Sequence, residues 1–228
     1  MINDMINKNF FNMENLQIIS SSVVIIDKIL QPNLGLSQQI IVNENDNPFL
    51  LFNNILYLKD KIGMELIKTP QSDKMMSQYL ANNIEIVYNL FPARFVIKQK
   101  NPTDMLWVCE AMLKMISSAS IQGKIGGVGI NYELFIPNEK NNNIALSLLN
   151  KNAITQGFTG VSTTLQKQCN DYLLTLKIAG ADIDGRNGAY CDINFHYNIN
   201  NIENVSEIMN TSKLDIAKSE VSNIFSEL

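Results

Sequence analysis

The stretch 172-YLLTLKIAGADIDGRNGAYCDINFHYNIN-200 contains the pattern that decides the fold. On either side of its centre, apolar residues occupy every second position, which is typical of a strand with one buried face. These apolar residues are Leu174, Leu176, Ile178, Cys191, Ile193, Phe195, Tyr197 and Ile199. The Asp-Gly and Asn-Gly pairs between the two halves favour the positive φ angles of a type I′ turn. The stretch therefore predicts a β-hairpin whose two apolar sets share one face.

The other face of the predicted hairpin carries His196, the only histidine of the chain. Asp192 shares that face, but four residues along a strand span about 13 Å. This separation excludes the two residues as the hydrogen-bonded base and orienting carboxylate of a catalytic triad, and as joint ligands of one metal ion. We therefore predict that His196 has no essential catalytic role.

The string DIDGRNG within this hairpin also invites comparison with a calcium-binding loop. Aligning Gly185 with the invariant glycine at position six places Gly180 at position one and Cys191 at position twelve. A calcium loop of this type requires oxygen ligands at both positions, and a carboxylate at the last. The spacing therefore argues against a calcium site.

A second informative stretch, 123-GKIGGVGINYELFIP-137, contains four of the eleven glycines. It lacks the P-loop pattern, and a dinucleotide-binding pattern started at Gly127 would place Tyr132 where the third glycine belongs. The apolar residues again occupy every second position, so we predict a strand with Gly127 and Gly129 on its less apolar face. We interpret these two glycines as positions where a neighbouring element, expected to be the preceding helix, approaches closely. Alanine at either position should then lower the melting temperature.

The remaining pattern predicts an α+β fold with a mainly antiparallel sheet, helices packed on one face and a long C-terminal helix. We expect one domain over 1–228, with an alternative division near 70–82 into a β-rich part (1–70) and an α+β part (83–228). The predicted strands lie near 16–28, 36–43, 50–58, 63–68, 84–91, 93–100, 125–137, 160–168, 172–183 and 189–200. The predicted helices lie near 72–80, 103–118, 142–150 and from 212 to the C-terminus.

Two predicted helices have features beyond a simple apolar face. In the helix near 103–118, Trp107 shares the polar stripe with Glu110 and Lys114, so these three residues are candidates for contact with a protein partner. The alternative is that the N-terminal segment of the same chain covers Trp107. In the C-terminal helix, Ser212 and Asp215 have the spacing of a capping box. The apolar stripe that follows consists of Leu214, Ala217, Val221, Ile224, Phe225 and Leu228.

Composition narrows the possible functions. A net charge of −4 with only two arginines gives no basic surface of the kind that binds nucleic acid, and Lys98 and Lys100 are interpreted as a solvated strand end. Three cysteines without CxxC spacing predict neither a zinc site nor a disulfide framework. No signal peptide, membrane span or cofactor motif is evident, which favours the cytoplasm. The 31 asparagines and 30 isoleucines indicate an AT-rich genome, bacterial or viral.

These observations favour a non-enzymatic binding or assembly protein, either a homo-oligomer or one subunit of a larger intracellular complex. The first alternative is a metal-dependent hydrolase or nuclease that uses the carboxylates of Asp182, Asp184 and Asp192. The second alternative is a domain that senses a small ligand in a pocket against the sheet. Sequence spacing alone identifies no catalytic, cofactor-binding or metal-binding residue.

Overall fold

The computed structural model describes residues 13–27, 65–67, 76–81, 84–90, 93–102, 125–137, 162–199, 204, 207–208 and 213–226 of the 228-residue chain. Within these ranges, nine strands form one antiparallel sheet in the order β2-β3-β4-β5-β1-β6-β9-β8-β7. The strands are β1 (Gln17–Asp27), β2 (Glu65–Ile67), β3 (Met76–Ala81), β4 (Ile84–Leu90), β5 (Ala93–Lys100), β6 (Ile125–Pro137), β7 (Ser162–Gln168), β8 (Leu173–Ile183) and β9 (Arg186–Asn198). A 3₁₀ turn (Met13–Asn15) precedes β1, and helix α1 (Leu214–Ser226) follows β9.

The sheet is built from two sets of antiparallel neighbours joined through β1 and β6. Strands β3, β4 and β5 pair in chain order, as do β7, β8 and β9, because short connections favour pairing of consecutive strands. β1 lies between β5 and β6 and bonds to both. The antiparallel sheet with a C-terminal helix is the architecture that the sequence predicts.

The β8–β9 hairpin confirms the prediction from its alternating pattern. Asp184 and Gly185 form the two-residue turn, with φ angles of 54° and 74°, and the amide of Gly185 donates a 3.0 Å hydrogen bond to Oδ1 of Asp182. The predicted start of the second strand at residue 189 is wrong, because β9 already begins at Arg186. Asn187 and Gly188 therefore lie in the strand, and only the Asp-Gly pair makes the turn.

The predicted strand over the glycine-rich stretch is also confirmed, and it lies at the centre of the sheet. β6 pairs with β1 on one side and β9 on the other. Its apolar face aligns with the apolar face of the hairpin, so large side chains of five strands are buried together. The core of the described part includes Val23, Ile97, Val128, Ile130, Tyr132, Leu134, Ile136, Leu176, Ile178, Ile193 and Phe195.

The helix predicted near 72–80 is wrong, because residues Met76–Ala81 form strand β3. Six residues offer too few helical hydrogen bonds to outweigh pairing with neighbours on both sides, β2 and β4. The pairing of Ala81 with Ile84 leaves two asparagines between the strands. Asparagine tolerates positive φ, so this pair was an available hairpin signal.

Helix α1 begins at Leu214, close to its predicted start. The Lys213 carbonyl accepts the first helical bond, from the amide of Ala217 at 2.9 Å, so Lys213 takes the N-cap position. The capping-box prediction required Ser212 there, and that residue lies outside the described ranges. Ala217, Val221 and Phe225 of the predicted apolar stripe are buried.

Other predicted elements lie outside the described residues: the strands near 36–43 and 50–58, and the helices near 103–118 and 142–150. In the part of the chain that the structure describes, no helix combines the length and apolar character needed to cross a membrane.

Candidate interaction surface

Strand β7 is one of the two end strands of the sheet and pairs only with β8 among the described strands. Six of its seven residues are exposed, and the seventh, Thr163, is half-buried. An end strand of this kind presents backbone donors and acceptors that another strand can pair with. β7 is therefore the first candidate for an interaction surface.

The hydrogen bonds of the β7–β8 turn show which backbone groups of β7 point outward. The amide of Cys169 donates to the carbonyl of Tyr172 at 2.9 Å, which makes these two residues a hydrogen-bonded pair. Bonded and non-bonded pairs alternate along an antiparallel ladder, so Thr163, Leu165 and Lys167 bond to β8. The residues whose backbone groups point away from β8 are Ser162, Thr164, Gln166 and Gln168.

The opposite end of β8 gives the same assignment. The turn at Asp184–Gly185 makes Ile183 and Arg186 its hydrogen-bonded flanking pair. Counting back from Ile183, the backbone N–H and C=O groups of the odd-numbered residues of β8 point toward β9. Those of the even-numbered residues point toward β7. The even-numbered Leu176 pairs with Leu165, so both turns agree on the outward groups of β7.

The middle of β7 also exposes an apolar side chain. Leu165 is 44% exposed, and together with Ile216 at 36% it makes up the exposed large apolar residues of the described ranges. Leu165 lies on the same sheet face as Leu176 and Ile193, at the outer end of that row of pairs. A partner that extends the sheet beyond β7 would therefore also cover this side chain.

An ion pair joins this edge strand to helix α1. Nζ of Lys167 lies 2.8 Å from Oε1 of Glu220, and this contact raises the pKa of Lys167. Ile216 precedes Glu220 by one helical turn and lies on the same side of the helix. The edge of β7 and this flank of α1 are thus adjacent, and we call the two together the β7 surface.

A polar network lies on the opposite sheet face, between β5 and β6. Nζ of Lys98 lies 2.6 Å from Oε1 of Glu133, and the two residues pair with Ser22 and Ser20 of the intervening strand β1. The small serines leave room for the lysine to reach across β1. Burial alone would raise the pKa of Glu133, but hydrogen bonds with Lys98 and Ser20 and the Lys98 charge together lower it. The interpretation of Lys98 as a solvated strand end is therefore wrong.

The same face continues as a row of amides and hydroxyls. The side-chain amide of Asn131 donates to Oγ of Ser22 at 3.1 Å, and that of Asn194 donates to Oδ1 of Asn131. Next to this row, burial raises the pKa of Asp192, with the Glu133 charge adding to the effect and Lys177 opposing it. The satisfied partners indicate that this network stabilises the sheet.

The glycines of β6 lie against neighbouring strands. A Cβ atom at Gly127 would lie 3.1 Å from Cε1 of His196 and 3.1 Å from the carbonyl oxygen of Tyr197, and one at Gly129 would lie 3.2 Å from Nδ2 of Asn194. Both glycines therefore lie in close contact with a neighbouring element. The atoms named here belong to β9, and the preceding helix, which the sequence predicts as the neighbour, lies outside the described ranges.

A more constrained glycine, Gly188, was missed because its Asn-Gly pair resembled a turn. A Cβ atom at Gly188 would overlap the carbonyl oxygen of Ile136 and lie 2.5 Å from the ring of Phe135. These contacts are too short for any side chain. The signal available in the sequence was that the alternating pattern resumes directly after this glycine, which is typical of a glycine inside a strand.

A polar cavity of about 620 Å³ lies at one end of the sheet. The β7–β8 connection, the end of β9 and the residue before α1 contribute to its lining, which includes Asp171, Tyr172, His196, Asn198 and Lys213. Nζ of Lys213 lies 5.9 Å from the centroid of the adjacent Tyr197 ring. The cavity size is within the usual range for small-molecule sites.

The carboxylates of the hydrolase hypothesis do not converge. Asp182 caps the hairpin turn, and Asp184 forms part of it. Asp192 lies five residues along β9 from Asn187, the partner of Asp182, which is about 17 Å. The described ranges also contain no cluster of three side chains able to hold a metal ion. Asp182 and Asp192 cannot share a metal in this arrangement.

The predicted partner-facing residues Trp107, Glu110 and Lys114 lie outside the described ranges. The sequence matches no protein-family model. It also shows no significant similarity to any curated protein.

Proposed function

We propose that this chain is a non-enzymatic binding and assembly protein that functions as a homo-oligomer or as a subunit of a larger complex. The observation that carries the proposal is the exposed end strand β7 with Leu165 at its centre. An unprotected strand of this length is an aggregation risk unless a partner pairs with it. Addition of a strand to an exposed sheet edge is a common mode of protein recognition.

The composition of β7 is consistent with a specific contact. Natural sheets protect free edges with proline, bulges or inward-pointing charges. β7 contains no proline, and its register with β8 is regular. Its single charged residue, Lys167, is already paired with Glu220. Apart from this paired lysine, the strand lacks the usual features that prevent pairing.

We further infer that α1 packs on the apolar face of the sheet, within one domain. Ala217 and Val221 of the helix are buried, and the amide of Lys213 donates a 3.2 Å hydrogen bond to the hydroxyl of Tyr132, a residue of the apolar face. The unpaired thiols of Cys169 and Cys191 suit a reducing compartment, so we place the assembly in the cytoplasm.

The native mass of the particle tests the proposal. We expect sedimentation of the purified chain, or of a complex isolated from its source cells, to give a mass well above the 25.7 kDa of one chain. Emission from Trp107, the single tryptophan, should shift to longer wavelength on dilution if the predicted contact of Trp107, Glu110 and Lys114 exists. A 25.7 kDa particle from both sources would contradict the proposal.

The polar cavity supports a second candidate function, the binding of a small polar ligand. Its lining offers a cation at Lys213, a carboxylate at Asp171 and an amide at Asn198, which are groups that orient a polar molecule. We expect a member of a panel of amino acids and monosaccharides to raise the melting temperature. Lys213→Ala should abolish that rise, and a panel without effect would count against the function.

A further inference from the structure

We propose that the partner of the β7 surface is a second copy of this chain, and that the two β7 strands pair antiparallel about a two-fold axis at Leu165. This inference rests on the proposed assembly function and names its partner and register. Symmetric dimers require a surface that is complementary to itself. β7 meets this requirement in both its backbone and its side chains.

The backbone groups match in this register. With Leu165 opposite itself, Thr164 lies opposite Gln166 of the second copy, and Ser162 lies opposite Gln168. All four residues have outward-pointing N–H and C=O groups, as the alternation of β7 shows. Each opposed pair exchanges two hydrogen bonds, so about eight form across the axis. If one strand were shifted by one residue, the outward-pointing N–H and C=O groups of one copy would lie opposite residues of the other copy whose groups point back toward β8. The hydrogen bonds across the axis would then be lost.

The side chains match as well. On the apolar face, the two Leu165 residues meet at the axis as a non-hydrogen-bonded pair, where side chains approach most closely. Lys167 lies opposite Thr163 of the second copy, so the register opposes no like charges. On the other face, threonine lies opposite glutamine. The exposed apolar area of Leu165 is thereby buried without burying an unpaired charge.

The first test removes one outward donor and keeps the fold. Gln166→Pro eliminates an N–H that does not bond to β8, and proline is tolerated on an edge strand at such a position. Gln166→Ala is the matched control, because it removes the same side chain and keeps the N–H. We expect the unaltered chain and Gln166→Ala to sediment as dimers, and Gln166→Pro to sediment as a monomer with an unchanged circular dichroism spectrum.

The second test measures which residues of the two β7 strands lie opposite each other. It does not require Gln166→Pro to fold. Non-hydrogen-bonded pairs have Cα atoms about 4.5 Å apart, within the range of a disulfide. Leu165→Cys should therefore form a covalent dimer on mild oxidation. In the matched control Thr163→Cys, the two cysteines lie four residues apart along the strands, about 13 Å, and should not cross-link. The unaltered chain gives the background from its native cysteines.

The outcomes separate this inference from the function on which it rests. A dimer that persists in Gln166→Pro, with no cross-link in Leu165→Cys, overturns the β7 pairing and leaves an assembly through another surface. Equal cross-linking of both cysteine variants overturns the register. A chain that is monomeric at every concentration and in its source cells overturns both proposals.

Discussion

At the scale of single residues, Gly185 and Gly188 show two separate reasons for a glycine within one hairpin. Gly185 has a φ of +74°, and apart from its own chain neighbours nothing in the described part of the chain lies within 4 Å of where a Cβ would be. Gly188 has room for no Cβ at all, because the backbone of Ile136 and the ring of Phe135 occupy the space. The first glycine is required by the conformation of its own backbone and the second by its neighbours.

Alanine substitutions at the three packed glycines should lower the free energy of unfolding by different amounts. We expect Gly188→Ala to lower the free energy of unfolding by about 3 kcal/mol, since a backbone carbonyl cannot move aside easily. Gly127→Ala should lower the free energy of unfolding by less. Gly129→Ala should lower it least, by under about 1 kcal/mol, because its nearest contact is a side-chain amide and the preference for alanine over glycine in a strand offsets part of the strain. Urea denaturation measures all three, and an equal cost at all three positions would contradict the ranking.

Substitution at the turn should show a cost that arises from conformation alone. Gly185→Ala should lower the free energy of unfolding by about 1 kcal/mol, because an L-residue is strained at positive φ even in open space. Gly185→Asn is the matched control and should cost less, since asparagine tolerates this region. Denaturant titration of both variants checks the difference, and a more stable alanine variant would argue against a type I′ turn.

At the scale of elements, the Lys98–Glu133 ion pair ties β5 to β6 across β1. Neither strand pairs with the other, so this contact adds a side-chain link where the backbone provides none. The link depends on the serines of β1, whose small side chains lie between the two charges. The stability of the centre of the sheet should therefore depend on pH.

Glu133→Gln should lower the free energy of unfolding by about 1 to 2 kcal/mol at neutral pH. The pKa of Glu133 is lowered in the folded chain, so its contribution is present above the ordinary value of 4.5 and is lost as the pH falls through the folded value. The difference in stability between Glu133→Gln and the unaltered chain should therefore become smaller in acid. Melting curves between neutral pH and pH 3 would measure it, and a difference independent of pH would contradict the assignment.

Asp192→Asn is the comparison variant, for which we expect a change in stability opposite in sign to that of Glu133→Gln. The pKa of Asp192 is raised by burial, so the folded chain favours its protonated form and the charge reduces stability at neutral pH. We expect the asparagine variant to melt at a higher temperature near pH 7. This advantage should disappear as the pH falls below the ordinary value of 3.8, where the carboxyl is protonated in both states. A lower melting temperature at pH 7 would show that the charge stabilises the sheet.

At the scale of the whole molecule, pairing through β7 would join two nine-stranded sheets into one continuous sheet. Seven residues of strand form a small interface, so we expect a dissociation constant on the order of micromolar. Such a dimer is partly dissociated at ordinary laboratory concentrations.

The melting temperature should therefore rise with protein concentration, since association stabilises the folded chain by mass action. Gln166→Pro should melt at the same temperature at all concentrations, and Gln166→Ala should behave like the unaltered chain. Differential scanning calorimetry over a wide concentration range measures this dependence. A melting temperature that does not change with concentration in the unaltered chain would contradict the dimer.

The sequence by itself determined the β8–β9 hairpin, strand β6 and helix α1. In each, a local property suffices: alternation of apolar residues, the backbone preference of an Asp-Gly pair, or a helical apolar stripe. The same alternation correctly indicated which face of β6 carries its glycines.

Only the tertiary structure decided the order of the strands and the contacts that depend on that order. β3 formed a strand despite its helical prediction because two neighbours pair with it. Gly188 became indispensable because β6 lies beside it, and β7 became a candidate surface because it ends the sheet. Periodicity is set by each strand alone, whereas pairing partners are selected by the energy of the whole sheet, so residues distant in sequence determine the surface through which this chain is proposed to act.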